Sequence, residues 1–111
     1  MFFMYMKIID VNYKDDIFLA LESVEITKAS YFEANNLESE LTDELPLFKG
    51  FFSTDDEKEK KVIIVTALIE SEDQIDEFVS NLEASGLNLK EEPIFRLALM
   101  PVAKTIDPTK D

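Results

Sequence analysis

Residues 71–86, SEDQIDEFVSNLEASG, contain the clearest helical signal in the chain. Ser71, with Gln74 three residues later, matches a capping box, in which each side chain accepts a hydrogen bond from a backbone N–H at the helix start. Gly86 suits the position just after the last turn, where a left-handed backbone is common. The segment therefore predicts an amphipathic helix with defined ends, and its apolar stripe consists of Ile75, Phe78, Val79 and Leu82.

The segments on either side of this helix have the pattern of strands. Residues 61–70, KVIIVTALIE, are almost continuously apolar, as expected for a strand that is covered on both faces. Residues 93–102, PIFRLALMPV, read as a strand with two alternating sets of side chains. One set is Phe95, Leu97 and Leu99, and the other is Ile94, Arg96, Ala98 and Met100.

The first third of the chain predicts a strand, a helix and a second strand. Residues 3–13 are aromatic and β-branched, and as a strand they would place Ile9, Val11 and Tyr13 on one face. Residues 15–24, DDIFLALESV, have apolar residues at helical spacing and acidic residues at the start. Residues 26–34 read as the second strand.

This order of elements, β-α-β-β-α-β, predicts an α+β fold of the ferredoxin-like kind. We expect one domain over residues 1–111, built as an antiparallel four-stranded sheet with two helices on one face. A long loop over residues 35–61 separates the second and third strands, and residues 103–111 form a C-terminal tail. Two helices cover only one sheet face, yet several strands are apolar on both, which predicts a subunit interface on the other face.

The composition excludes several classes of function. A net charge of −13 argues against nucleic acid and anionic membranes as partners, because both require a basic surface. The chain has no cysteine and no histidine, which removes thiol chemistry and the usual acid–base group at neutral pH, so we expect no enzymatic activity. Its longest apolar run is too short to span a bilayer, and without an export signal the expected location is cytoplasmic.

In order and spacing, four segments resemble the PII-like signalling proteins, the nitrogen regulatory P-II family and its relatives. ESEDQIDEFVSNLEASG is similar to the second helix of that family and PIFRLALMPV to its last strand. MKIIDVNYKDDIFLAL is similar to the opening strand and helix, and ELPLFKGFF, residues 44–52, to the long exposed loop. The resemblance covers nearly the whole chain. It implies a cytoplasmic homotrimer that senses a small effector between subunits and acts on a target protein, such as a transporter or an enzyme, through its long loop.

The chain departs from the family at the phosphate-binding positions. Nucleotide-binding members have a glycine-rich loop before the last strand, where backbone N–H groups approach a phosphate closely. Here residues 90–93 are KEEP, with two carboxylates that would repel a polyphosphate and a proline without an N–H. The C-terminal arginines of the family are also missing. The effector therefore stays unknown, with an adenine nucleotide still open.

Three residues are candidates for binding a ligand in a cleft between subunits. Ser30 matches a hydroxyl residue that the family uses near the base, and Lys90 offers one positive charge. Arg96 is the only arginine of the chain, placed within an apolar strand. Arg96 forms either an ion pair between subunits or part of a binding site for a carboxylate or phosphate. The planar guanidinium group matches the geometry of these anions.

The long loop has two candidate features. Phe48, Lys49, Gly50 and Phe51 form either a hairpin turn or a docking tip with aromatic anchors. The same region contains four acidic residues, Glu38, Glu40, Asp43 and Glu44. They are either solvated or could bind a divalent cation through oxygen, and we expect no metal site. Two alternatives to the regulator therefore stay open, namely a trimeric cation-associated protein resembling CutA and a structural interaction module without a ligand.

Overall fold

The computed structural model describes residues 1–38 and 61–108, and these residues contain the predicted four strands and two helices. The elements are β1 (Phe2–Ile8), a 3-10 turn (Val11–Tyr13), α1 (Lys14–Ser23), β2 (Ala29–Asn35), β3 (Lys61–Ile69), α2 (Glu72–Ala84) and β4 (Phe95–Pro101). The predicted loop over residues 35–61 lies outside the described residues except near its ends. Asn35 is the last residue of β2 and Lys61 the first of β3.

The strands form one sheet in the order β2-β3-β1-β4, and every neighbouring pair is antiparallel. At the centre, Met6 of β1 lies opposite Val65 of β3 on one side and Leu97 of β4 on the other. The result is an α+β fold that is compatible with a ferredoxin-like arrangement.

Both helices pack on the same face of this sheet. Met4, Met6 and Ile8, alternate residues of β1, are completely buried, and they share one core with side chains of α1 and α2. Phe78 of α2 is also completely buried, with its ring 5.8 Å from that of Phe95 in β4. Removing a side chain of this size from water contributes about 1.5–3 kcal/mol to stability.

Helix α2 begins and ends as the sequence predicts. The hydroxyl of Ser71 accepts a hydrogen bond from the N–H of Asp73 at 3.2 Å, and the side chain of Gln74 accepts one from the N–H of Ser71 at 3.3 Å. Gly86 has a φ of +99°, in the left-handed region that favours glycine. The capping box and the glycine terminator are therefore confirmed.

The prediction of one strand over residues 3–13 was wrong in its second half. β1 ends at Ile8, and the N–H groups of Ile9 and Asp10 both donate to the carbonyl of Ile94, at 2.9 and 3.1 Å. The Asp10 carboxylate then accepts from the N–H of Asn12, which caps the 3-10 turn. Val11 therefore lies in this turn and not on a strand face.

The second and fourth strands also begin later than predicted. Ile26 lies before β2 and is buried in the core, with its N–H donating to the carbonyl of Leu21 at 2.9 Å. Ile94 precedes β4, is 1 % exposed and belongs to the core on the helix side. It therefore does not share a face with Arg96, contrary to the predicted alternation.

Candidate functional site

The sheet face opposite the helices, named the open face, carries side chains that alternate with those of the core. It includes Phe3, Tyr5 and Lys7 of β1, Val62, Ile64, Thr66 and Leu68 of β3, Ser30, Phe32 and Ala34 of β2, and Arg96, Ala98 and Met100 of β4, with Val62 and Ile64 buried. Three of its large apolar side chains are substantially exposed, with Phe32 at 54 %, Met100 at 49 % and Leu68 at 42 %. The open face is therefore an apolar surface that neither α1 nor α2 covers.

Two basic residues, named the cation pair, lie side by side on the open face. Lys7 of β1 and Arg96 of β4 are direct cross-strand partners. Residues in this position have Cβ atoms about 4.5–5.5 Å apart, and like charges there repel each other. Within residues 1–38 and 61–108, no carboxylate forms an ion pair with either one. The chain has 24 acidic and 11 basic residues, so two neighbouring basic side chains without an acidic partner among the described residues are unusual in this protein.

The neighbours of this pair are mainly apolar or uncharged. Ile64 lies beside Lys7 on β3 and is buried, and Tyr5 and Ala98 pair in the next row of the sheet. Arg96 is exposed and Lys7 is half-buried, so an anion can approach both cations from solvent. The guanidinium fork of Arg96 can hold a carboxylate or phosphate through two parallel hydrogen bonds. The arrangement can therefore bind an oxyanion.

Within one chain, the three predicted ligand-binding residues do not come together. Ser30 lies in β2 and Arg96 in β4, the two outer strands, which puts about 14 Å of sheet between them at about 4.8 Å per strand. Lys90 is exposed in the turn before β4. A site made from all three would require a neighbouring subunit, so the cleft between subunits stays a prediction.

Local hydrogen bonds hold the turn that contains Lys90. The N–H of Glu92 donates to the carbonyl of Asn88 at 3.0 Å, and the amide of Asn88 donates to the Glu91 carboxylate at 2.9 Å. The hydroxyl of Tyr13 donates to the Glu92 carboxylate at 3.1 Å, and this bond, together with the negative charge of Glu92, raises the pKa of Tyr13 above its ordinary value. Both glutamates therefore bind within the turn or to the 3-10 turn beside it.

A cavity of about 260 Å³ lies on the helix side of the sheet, between α1 and the outer strand β2. We name it the edge cavity, and its walls include Phe18, Leu21, Glu22, Ile26, Ser30 and Tyr31. The rings of Phe18 and Tyr31 lie 4.9 Å apart, although Tyr31 remains 61 % exposed. Sequence reasoning placed Ser30 near a ligand but missed both this cavity and Lys7, because each depends on which elements become neighbours.

Several predicted features cannot be placed. The docking-loop residues Phe48, Lys49, Gly50 and Phe51 lie outside the described residues, as do the acidic residues of that loop other than Glu38. In the part of the chain that the structure describes, no group of three or more acidic side chains could hold a metal ion. Across the same residues, no helix has the length and apolar character needed to cross a membrane.

Comparison with known proteins returned no match, either to protein-family models or to curated sequences. The resemblance to PII-like proteins therefore depends on the four segments quoted above.

Proposed function

We propose that the chain is a non-enzymatic regulatory protein of the PII-like type, with ferredoxin-like topology, that assembles as a homotrimer through the open face. The main support is the exposure of Phe32, Leu68 and Met100 on a sheet face that the helices leave uncovered. Several exposed apolar side chains on one sheet face are typical of subunit interfaces. The antiparallel order β2-β3-β1-β4 agrees with the ferredoxin-like plan.

The cation pair favours an anionic effector. When subunits pack on the open face, Lys7 and Arg96 lose contact with water, and a buried charge without a partner is strongly unfavourable. An oxyanion beside the pair removes that cost. Either a carboxylate of a neighbouring subunit or a bound effector can supply it, and Ser30 and Lys90 would complete the effector site from a neighbouring subunit.

The regulatory step in this proposal is a shift between loop conformations. Four strand ends meet at one end of the sheet, because all neighbouring strands are antiparallel. They are the ends of β1 and β2 and the starts of β3 and β4. Residues 35–61 therefore leave and re-enter the sheet at the end where Lys90 lies. An effector that binds at this end of the sheet and prefers one loop conformation shifts the population toward that conformation. The affinity of the protein for its target changes as a consequence.

Light scattering on the chromatographed protein tests the assembly. We expect a trimer, and we expect Leu68→Asp to dissociate it, because the new carboxylate lies on the open face. Leu19→Asp is the matched control, since Leu19 is 65 % exposed on α1, away from that face. A wild-type monomer at every concentration, or equal effects of the two substitutions, would contradict the proposed interface.

Titration calorimetry tests the effector site. Candidate ligands are ATP, ADP, cyclic AMP, bicarbonate, phosphate and divalent metal ions. Saturable binding of an anion that Lys7→Gln and Arg96→Gln abolish, and that Lys104→Gln leaves intact, would support the site on the open face. Binding of metal alone would favour the CutA-like alternative, and binding of nothing would favour the structural module.

A further inference from the structure

β2 forms an outer edge of the sheet that is open to pairing. All seven of its residues, Ala29–Asn35, pair continuously with β3 on the inner side. On the outer side, no strand among the described residues pairs with it. An outer edge presents a row of free N–H and C=O groups, and proteins usually protect such an edge with proline, lysine or a bulge. β2 contains neither residue, its register has no bulge and its one charged side chain is Glu33, whereas the opposite edge strand β4 carries Arg96 and Pro101.

The edge cavity lies directly beside this edge, on the helix side of the sheet. Its volume of about 260 Å³ is just below the range of about 300–1,000 Å³ that is usual for small-molecule sites. This volume is sufficient for one inserted side chain. In a strand added to β2, alternate side chains would point to the helix side, where Phe18, Leu21 and Ile26 line the cavity.

The charge around this edge is mostly negative. Glu22 lines the cavity, Glu25 follows α1, and Glu33 lies in β2 on the same face as Tyr31. All three glutamates are exposed, and the described basic residues at this edge are Lys28, before β2, and Lys61, whose ammonium group donates to the Asn35 side chain at the end of β2. A basic partner is therefore favoured over an acidic one.

We propose that the outer edge of β2 and the edge cavity bind an extended basic segment of a partner protein by strand addition. Backbone hydrogen bonds to β2 hold the segment, and one apolar side chain fills the edge cavity. Basic side chains two residues before and two residues after it, which point to the same side of the added strand, face Glu22 and Glu33. The edge cavity lies on the helix side of the sheet, opposite the open face, so binding there does not require the proposed trimer.

A fluorescein-labelled peptide, Thr-Lys-Val-Leu-Val-Lys-Thr, in which both lysines point to the same side as the central leucine, tests the proposal by fluorescence anisotropy with the 111-residue protein. We expect saturable binding that weakens by about tenfold or more when the central leucine becomes serine or when every lysine becomes glutamate. On the protein side, Glu22→Lys should weaken binding, while Glu83→Lys, the same charge change at an exposed position of α2, should not. Ala29→Phe, which fills the cavity from its rim, should also weaken binding, with circular dichroism confirming the fold.

Two further peptides test the hydrogen-bonding mode. One carries N-methyl groups on its odd-numbered amides and the other on its even-numbered amides. A strand added at an edge uses alternate amides, so we expect one methylated peptide to lose at least about tenfold in affinity and the other to bind like the parent.

Three results would overturn the proposal. The first is absence of saturable binding, and the second is equal behaviour of the two methylated peptides. The third is disulfide cross-linking between two copies of a Tyr31→Cys variant without peptide binding, which would make a second copy of the chain the occupant of this edge.

Discussion

Lys7 and Arg96 allow a direct test of the open face, because one substitution converts a repulsion into an attraction. Lys7→Glu places a carboxylate directly opposite the guanidinium. For charges about 7 Å apart, Coulomb's law gives about 0.6–1.2 kcal/mol at an effective dielectric constant of about 80–40. Changing the repulsion into an attraction of equal size doubles the change in interaction energy. Mobile side chains at the surface contribute only part of that energy to stability. We therefore expect the free energy of unfolding to rise by about 0.5–1 kcal/mol, the upper range for cross-strand pairs.

Urea denaturation at fixed protein concentration measures the effect. The substitution also takes the net charge from −13 to −15, since lysine to glutamate changes it by −2. Lys104→Glu is the matched control for that change, because Lys104 is exposed in the segment after β4. The gain of Lys7→Glu over this control should shrink between about 0.01 M and 1 M salt, as the Debye length falls from about 30 to 3 Å. Adding Arg96→Glu should remove the gain.

The same substitution should act in the opposite direction on ligand binding. Lys7→Glu occupies Arg96 with a carboxylate, so any oxyanion that binds the wild type should lose affinity while stability rises. Equal stability of Lys7→Glu and Lys104→Glu, or a gain that does not depend on salt, would refute the reasoning, because the two cations would then not interact. Increased stability with unchanged anion affinity would separate the pair from the effector site.

Two more predictions concern the helix cap and the turn before β4. Ser71→Ala should destabilise the protein by about 1 kcal/mol in urea denaturation through loss of the capping hydroxyl, whereas Ser80→Ala at an exposed position of the same helix should change little. The pKa of Tyr13 is higher in the folded protein than in the unfolded chain, where it is about 10. The hydrogen bond from Tyr13 to Glu92 therefore contributes fully to stability below that unfolded pKa, and the contribution is lost as pH rises through the folded pKa. Tyr13→Phe should therefore be less stable than the wild type near neutral pH and approach it in alkaline solution; a constant difference across this range would contradict the assignment.

Local signals explain which elements the sequence predicts well. The ends of α2 depend on Ser71, Gln74 and Gly86, all within or next to the helix, so a single sequence contains the needed information. The end of β1 depends instead on the carbonyl of Ile94, more than eighty residues away, which accepts from the N–H groups that would otherwise continue the strand. No pattern within residues 3–13 indicates that contact.

The same distinction holds for the candidate sites. Arg96 is conspicuous in the sequence as a single arginine within an apolar strand. The partner beside it, Lys7, became evident only from the register of β1 and β4. The edge cavity likewise requires that Phe18 and Tyr31, from a helix and a strand, come within 4.9 Å. The residue with unusual chemistry is visible in the sequence, whereas its neighbours in the sheet are not.

β2 links the two proposals, because its successive side chains serve different surfaces. Phe32 lies on the open face, whereas Tyr31 lies beside the edge cavity. A peptide strand added to β2 would extend the open face by one strand, so its alternate side chains would enlarge the apolar surface available for assembly. Binding and assembly would then share a coupling free energy, and this coupling must be reciprocal. Peptide affinity should therefore be weaker for the Leu68→Asp monomer than for the trimer, and equal affinities would establish that the two surfaces act independently.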